Sequence, residues 1–330
     1  MSVLVRRVQP AESRRTIVTR RATADLIYRS LASGAGILTL VLLVLIGLFL
    51  VFQSAPAFRL AGLNFLTTKA WQPDGTTHQF GIEAIMYWTL VIAVIALVIA
   101  VPVSIATALF INEYAPRSTR RTLTALVDLL AAVPSVIYGI WGLVFLEAYL
   151  VQVASWLTDN ASFIPIFKTD IPIYAGSAFI AGVVVSLMVQ PICTSVMREV
   201  FAQAPPAERE AALALGATRW GMIRTVVLPF GAGGMIGGSM LGLGRALGET
   251  IAVALIISPV TVITFPPQIL GTGANSVAAL IALQFGEASR TYGIPALMAA
   301  GLSLFVVTLL VNFVASLIVA RSRSGKGVEI

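Results

Sequence analysis

Apolar and polar positions alternate here in blocks, not in short periods. Six apolar runs cover about residues 31–52, 85–111, 126–146, 173–197, 230–258 and 294–320, with polar stretches between them. Runs of about 20 apolar residues are long enough to cross a bilayer as helices. The fourth run contains Pro191, which predicts a kink. Residues 275–288, "NSVAALIALQFGEA", place Val277, Leu280, Ile281, Gln284 and Phe285 at helical spacing. That segment is too short to span and reads as an interfacial or re-entrant helix. The predicted fold class is an all-α polytopic membrane protein with about six transmembrane helices. The layout is a tail (1–30), a first span (31–52), a polar loop (53–83), a core of spans (84–320) holding a polar loop at 199–229, and a short tail (321–330).

Composition agrees with this pattern. The chain has 330 residues, is 58% hydrophobic and 11% charged, and has a mean hydropathy of +0.91. Its net charge of +7 would suggest nucleic acid in a soluble protein. Here the charges lie between apolar runs, so lipid headgroups and loop orientation account for them and no nucleic acid is implied. Of the 22 Lys and Arg residues, 17 fall in the N-terminal tail, the loops after the second and fourth runs, and the C-terminus. Four (Arg59, Lys69, Lys168 and Arg290) fall on the other side, and Arg245 lies inside the fifth run. The positive-inside rule therefore puts both termini in the cytoplasm of a cell bounded by this inner membrane. "SRRTIVT" and the "APA" at 55–57 faintly suggest an export signal with a cleavage site. The first run is long enough to span and begins well after the Arg pair, so it reads as an uncleaved helix.

Catalytic chemistry finds little to work with. A single cysteine, Cys193, excludes an internal disulfide and a Cys-based metal site. The single histidine, His78, lies in a polar loop and reads as solvated. None of Lys69, Lys168 and Lys326 ends a phosphate-loop motif, so any ATPase must be a partner. No cofactor, metal or catalytic residue is implied. A membrane enzyme would need a polar constellation within the spans. A receptor would need an output domain. The chain offers neither.

Two features of the runs carry more. Gly234, Gly238 and Gly242 fall four apart in the fifth run, a spacing that lets helix backbones touch in lipid. Arg245 and Glu249 are also four apart and, on one helix, can pair. A charge at that depth costs at least about 2.5–3.5 kcal/mol on insertion scales and usually marks a polar path or a structural ion pair. A guanidinium can hold a tetrahedral oxyanion through two hydrogen bonds. Pro134 and Ser135 interrupt the third run near a membrane boundary, and Ser135 could donate to an anion or satisfy the backbone equally well. Trp71, Trp88, Trp141 and Trp156 are candidates for interfacial anchors.

The polar loop at 199–229 is unusual for its place. "EREAALALGATRWGMIRTVVLP" begins after Pro205 and Pro206, carries Glu208 and Glu210 where carboxylates suit a helix N-terminus, and runs on in small helix formers to Gly216. Thr218 can cap a second helix that ends at Pro229. Glu210, Ala211 and Ala212, then Gly216, then Val226, Leu228 and Pro229 resemble the EAA loop of bacterial ABC-importer permeases of type 1. Val226 stands where that family has Ile. The resemblance implies that Arg209, Glu210, Ala211, Ala212, Gly216 and Arg219 form or flank a coupling helix that docks on a cytoplasmic ATPase. "INEYAP" at 111–116, "LLAAVPSVIYGIWGL" at 129–143 and "LGLGRALGETIAV" at 241–253 are similar to the PstC-type permeases of phosphate importers. That likeness implies a transport subunit, not an enzyme. Its expected partners are a homologous PstA-like permease, a PstB-like ATPase dimer, a PstS-like extracytoplasmic phosphate-binding protein and the lipid bilayer. Arg245, Glu249 and Ser135 become substrate-path candidates. A permease for another oxyanion or small solute fits the residues as well.

Overall fold

The computed structural model describes residues 23–169, 172–257 and 268–320. The basic tail up to residue 22, the C-terminal tail from 321 and Ser258 lie outside the described residues. The order is α1 (Thr23–Ala61), α2 (Glu83–Leu109), α3 (Arg117–Ala132), α4 (Ser135–Trp141), α5 (Glu147–Ala161), α6 (Ala178–Ala202), α7 (Pro206–Ala214), α8 (Arg219–Met222), α9 (Leu228–Leu247), α10 (Ile251–Ile256), α11 (Val277–Gln284) and α12 (Gly293–Ala320). Wider π turns carry α2 on to Tyr114 and join α4 to α5 and α8 to α9. Among the described residues the only β pairing is an isolated bridge, Trp71 to Phe80. Six helical stretches are long and apolar enough to cross a membrane: Asp25–Leu66, Glu83–Tyr114, Ser135–Ala161, Ala178–Ala202, Arg219–Leu247 and Gly293–Ile318. The chain is a multi-pass membrane protein of the all-α class.

Two spans differ from the sequence expectation. The third run, 126–146, is broken inside: α3 ends at Ala132, and Val133 and Pro134 take extended conformations before α4 starts. Pro134 has no N–H and disfavours helix at the residue before it, which explains both. The unbroken helix is Ser135–Ala161, and α3 is a separate, amphipathic piece. The fifth run, 230–258, is also broken. α9 stops at Leu247 and α10 begins at Ile251. Gly248 weakens the helix, and the Glu249 carboxylate accepts a hydrogen bond from Ala252 N–H at 3.2 Å, which starts a new helix. α6, in contrast, continues through Pro191.

Up to Leu48, α1 presents an almost wholly exposed apolar surface, as a lipid-facing helix requires. The body from Phe49 onward is built on α2, α6 and α9. Ala93, Ala96, Ala100 and Ala108 line α2 where it meets Ala181, Val184, Val185 and Met188 of α6. The glycine face of α9 packs on α6 and also reaches α2 at Leu97. A Cβ on Gly234 would come within 2.5 Å of Val200, and one on Gly242 within 2.6 Å of Cys193 Sγ. The spacing of four thus brings two backbones together.

The loop before α2 is tied to the segment before α12. Trp71 Nε1 donates to Gln284 at 2.7 Å. Asp74 accepts from the backbone N–H of Ser289 at 3.0 Å and from its hydroxyl. His78 stacks on Tyr292 at 4.1 Å, with φ at 45° and Nδ1 2.8 Å from Pro73 O. His78 is therefore an ordered part of this tie, not a free loop residue. Trp71 and Trp88 are buried at 8% and 1% exposure, which removes them as interfacial anchors. Trp141 and Trp156 stay exposed. α11 buries Val277 and Leu280, and its first N–H donates to Thr89 Oγ1 of α2 at 3.0 Å.

Candidate functional site

Two places hold the charged side chains singled out from the sequence. The first is the loop between α6 and α9. Pro206 opens α7 at a position where its missing N–H costs nothing. After α7, Gly216 takes φ +85°, with nothing within 4 Å of a Cβ placed there. The bend therefore rests on backbone conformation alone, not on crowding. Thr218 caps α8 by accepting from Gly221 N–H at 3.1 Å. Glu210 and Ala211 are exposed, Ala212 is half-buried, and Leu213, Leu215 and Trp220 expose large apolar side chains beside them.

Two of the three arginines of this loop, Arg209 and Arg219, contact the end of α2. Arg209 Nη1 lies 3.0 Å from Glu113 Oε1 at the end of α2, and Nη2 donates to Phe201 O of α6. The Glu113 side chain is 7% exposed and Arg209's is 22%. The close approach is an ion pair without a well-directed hydrogen bond to Oε1. Arg219 lies over the Tyr114 ring, 5.5 Å from its centroid. In this structure both arginines hold the loop against α2. Exposed on this loop are Glu210, Ala211, Leu213, Leu215, Arg219 and Trp220.

The second place is the end of α9. Arg245 and Glu249 do not pair. Among the described residues the ion pairs are Lys69–Glu83, Arg198–Asp128 and Arg209–Glu113. The expected spacing of four held only for a continuous helix, and the break at Gly248 turns Glu249 away to start α10. Glu249 is 7% exposed and serves as that cap. Arg245 is exposed and lines an open cavity of about 610 Å³ with Gly237, Leu241, Gly244, Asn312 and Ser316. Tyr138 of α4 lies within range of the Arg245 charge and donates to Leu130 O at 3.0 Å. Among the described residues Ser135 is not part of that lining; it sits at the start of α4, after the Pro134 break. Asn312, Ser316, Glu113 and Tyr138 were not singled out from the sequence. An Asn inside an apolar run was the available signal for the first of them. No group of His, Cys, Asp or Glu among the described residues is arranged to hold a metal ion.

Residues 100–324 match the family model described as "Binding-protein-dependent transport system inner membrane component". The chain is 40% identical over 306 residues to the phosphate transport system permease protein PstC 2 of Mycobacterium tuberculosis, covering 91% of this chain and 93% of that protein. It is 38% identical over 312 residues to the PstC of Xylella fastidiosa (93% and 94%) and 37% identical over 305 residues to that of Haemophilus influenzae (91% and 95%). Among solved structures, a bacterial ABC transporter involved in import of the acidic polysaccharide alginate aligns with a TM-score of 0.51 at 20% identity, over 89% of this chain and 98% of that one. This last likeness concerns the fold alone.

Proposed function

The chain belongs to the family of binding-protein-dependent transport system inner membrane components, and on that premise we propose that it is the permease subunit of an ATP-driven inorganic phosphate importer. It supplies half of the translocation path and performs no bond chemistry. A homologous PstA-like permease supplies the other half, a pair of PstB-like ATPase subunits the energy, and a PstS-like extracytoplasmic protein the phosphate. Both termini and the α6–α9 loop are cytoplasmic, and the tie around Asp74 is extracytoplasmic. The relatives named as phosphate permeases support the substrate. The charge asymmetry supports the orientation.

One observation carries the pathway assignment: Arg245, a cation near the end of a membrane-spanning helix, has no ion partner among the described residues and faces a cavity. A guanidinium presents its donors in a fork that matches two oxygens of a tetrahedral anion. Without a carboxylate beside it, its field acts on whatever enters. On the loop, α7 and Leu213, Leu215 and Trp220 form the exposed surface for the ATPase. Arg209 and Arg219 pass the movement of that surface to α2. Ser135 and Glu249 bear on the path through the backbone, each at a helix break.

The test is ATP-driven uptake of labelled phosphate by the reconstituted complex of permeases, ATPase and binding protein. Arg245→Gln should assemble with normal yield and lose at least about tenfold in uptake, as removal of one charged hydrogen-bonding group does. Glu249→Gln keeps the acceptor for Ala252 N–H and should retain most of the rate. A wild-type complex that moves another solute but no phosphate refutes the substrate. Normal uptake by Arg245→Gln refutes the path. Impermeant thiol reagents should label Thr77→Cys from outside and leave Ser118→Cys protected; the reverse pattern refutes the orientation.

A further inference from the structure

Spans α9 and α12 are almost wholly apolar, and their polar side chains can be accounted for one by one. Ser239 of α9 donates to Met235 O at 2.7 Å. On α12, Ser303 donates to Ala299 O, Thr308 to Phe305 O and Ser316 to Phe313 O, at 2.8–2.9 Å. Each hydroxyl is thus satisfied by its own helix and needs nothing from outside. Two side chains remain. Arg245 and Asn312 form no hydrogen bond or ion pair with the described residues, and both line the same cavity. A primary amide carries two N–H donors and one acceptor, and leaving it unpaired at membrane depth is costly. That the two unpartnered polar groups of two separate helices meet at one cavity points to a shared ligand.

We infer that Asn312 is the second anion-binding group of the transport path, its amide N–H donating to the oxyanion that Arg245 holds. This rests on the phosphate-permease reading and adds a residue from the last span to it. The chemistry is specific. The guanidinium supplies charge and two parallel donors. The amide adds a neutral donor from the opposite helix, so the anion is oriented without being held by a second charge. An anion bound between two cations would leave slowly. One cation and one amide give a seat from which it can leave. The amide oxygen can accept from a protonated oxyanion, a contact that sulfate at neutral pH does not offer. Asn312 therefore also bears on which anion passes.

Four variants of the reconstituted complex test this: Asn312→Leu, Asn312→Gln, Asn312→Asp, and Asn312→Leu together with Arg245→Gln. Phosphate uptake, ATP hydrolysis with and without the phosphate-loaded binding protein, and yield of assembled complex are measured for each. Asn312→Leu is expected to assemble normally, hydrolyse ATP at the wild-type basal rate, and move about tenfold less phosphate per ATP, the loss of one hydrogen bond to a charged group. Asn312→Gln keeps the donors and should recover at least half of the rate. Asn312→Asp places a negative charge at the anion's seat and should be worse than Asn312→Leu. In the double variant, the leucine should add little to the defect of Arg245→Gln, because both groups serve one ligand. Phosphate transported per ATP that is unchanged in an assembled Asn312→Leu complex overturns the inference and leaves the permease reading standing. So does rescue failing with glutamine while aspartate restores transport. A wild-type complex that moves no phosphate overturns both.

Discussion

Replacing Arg209 by alanine removes the cation from a nearly buried carboxylate, and the structure sets the size of the effect. The nitrogen–oxygen distance is 3.0 Å, and Glu113 is 7% exposed. At an effective dielectric near 20, Coulomb's law gives an attraction of about 5 kcal/mol at that distance. Desolvation of both groups offsets much of this, and the pair lacks a well-aligned hydrogen bond. Removing one partner of a buried pair costs about 3–5 kcal/mol, and this geometry favours the lower end, about 3 kcal/mol. The effect should be asymmetric. Arg209→Ala strands Glu113 where water barely reaches. Glu113→Ala leaves Arg209 at 22% exposure, still bonded to Phe201 O and able to reach water. Glu113→Ala should therefore cost less, about 1–2 kcal/mol. The double variant Arg209→Met with Glu113→Leu should recover most of the stability, because no buried charge remains. The assay is the thermal midpoint of the purified complex in detergent, where roughly 2 °C per kcal/mol puts the Arg209→Ala drop at about 6 °C. ATP-driven uptake is measured beside it. Equal midpoints for Arg209→Ala and wild type would refute the reasoning. So would a double variant no better than Arg209→Ala.

Gly216→Val should impair uptake while the isolated ATPase subunits stay active, because φ +85° costs an L-residue about 1–2 kcal/mol and nothing else crowds the site; Gly216→Asn, which tolerates that region better, should lie between valine and wild type in the same uptake assay. Burial raises the Asp74 pKa, but the Ser289 hydroxyl, the N–H groups of Ser289 and Gly293 and the charge of His78 outweigh it, so the carboxyl sits below its ordinary value of 3.8. A depressed folded pKa adds stability above the unfolded value and loses it as pH falls through the folded one. Protection of the Ser289 amide, its exchange rate compared with the intrinsic rate at the same pH, should thus hold from neutral pH down to the ordinary carboxylate value of 3.8 and be lost only below it, and Asp74→Asn should abolish that pH dependence of protection.

The number of apolar helices, and the place of four of them, were legible because a run of some twenty apolar residues finds its most favourable surroundings in a bilayer, and only a helix satisfies its backbone there. The glycine face was legible for the same kind of reason: a spacing of four on a helix fixes a direction, and α6 fills it. The interruption at Pro134 was legible from the proline itself, but the break at Gly248 was hidden, since that run stays apolar on either side and hydropathy is blind to backbone direction. Local signals did exist. Pro134 disfavours helix at Val133, and "GET" at 248–250 places a helix-ending Gly before a carboxylate able to cap the next helix. Reading 230–258 as one helix discarded that signal and created the Arg245–Glu249 pair, which needs an unbroken helix to exist. The roles of Arg209 and Arg219 were hidden differently. Their partners, Glu113 and Tyr114, lie at the end of another span, and no local pattern announces a contact that only packing creates. The loop motif implied a part in docking for both, and the structure adds their contacts to Glu113 and Tyr114. The unpaired Arg245 is thus the more informative outcome. Had Glu249 paired with it, the charge would be accounted for inside one helix. Unpaired, it leaves a cation and the Asn312 amide facing the same space, and a membrane protein retains such groups where something polar has to pass.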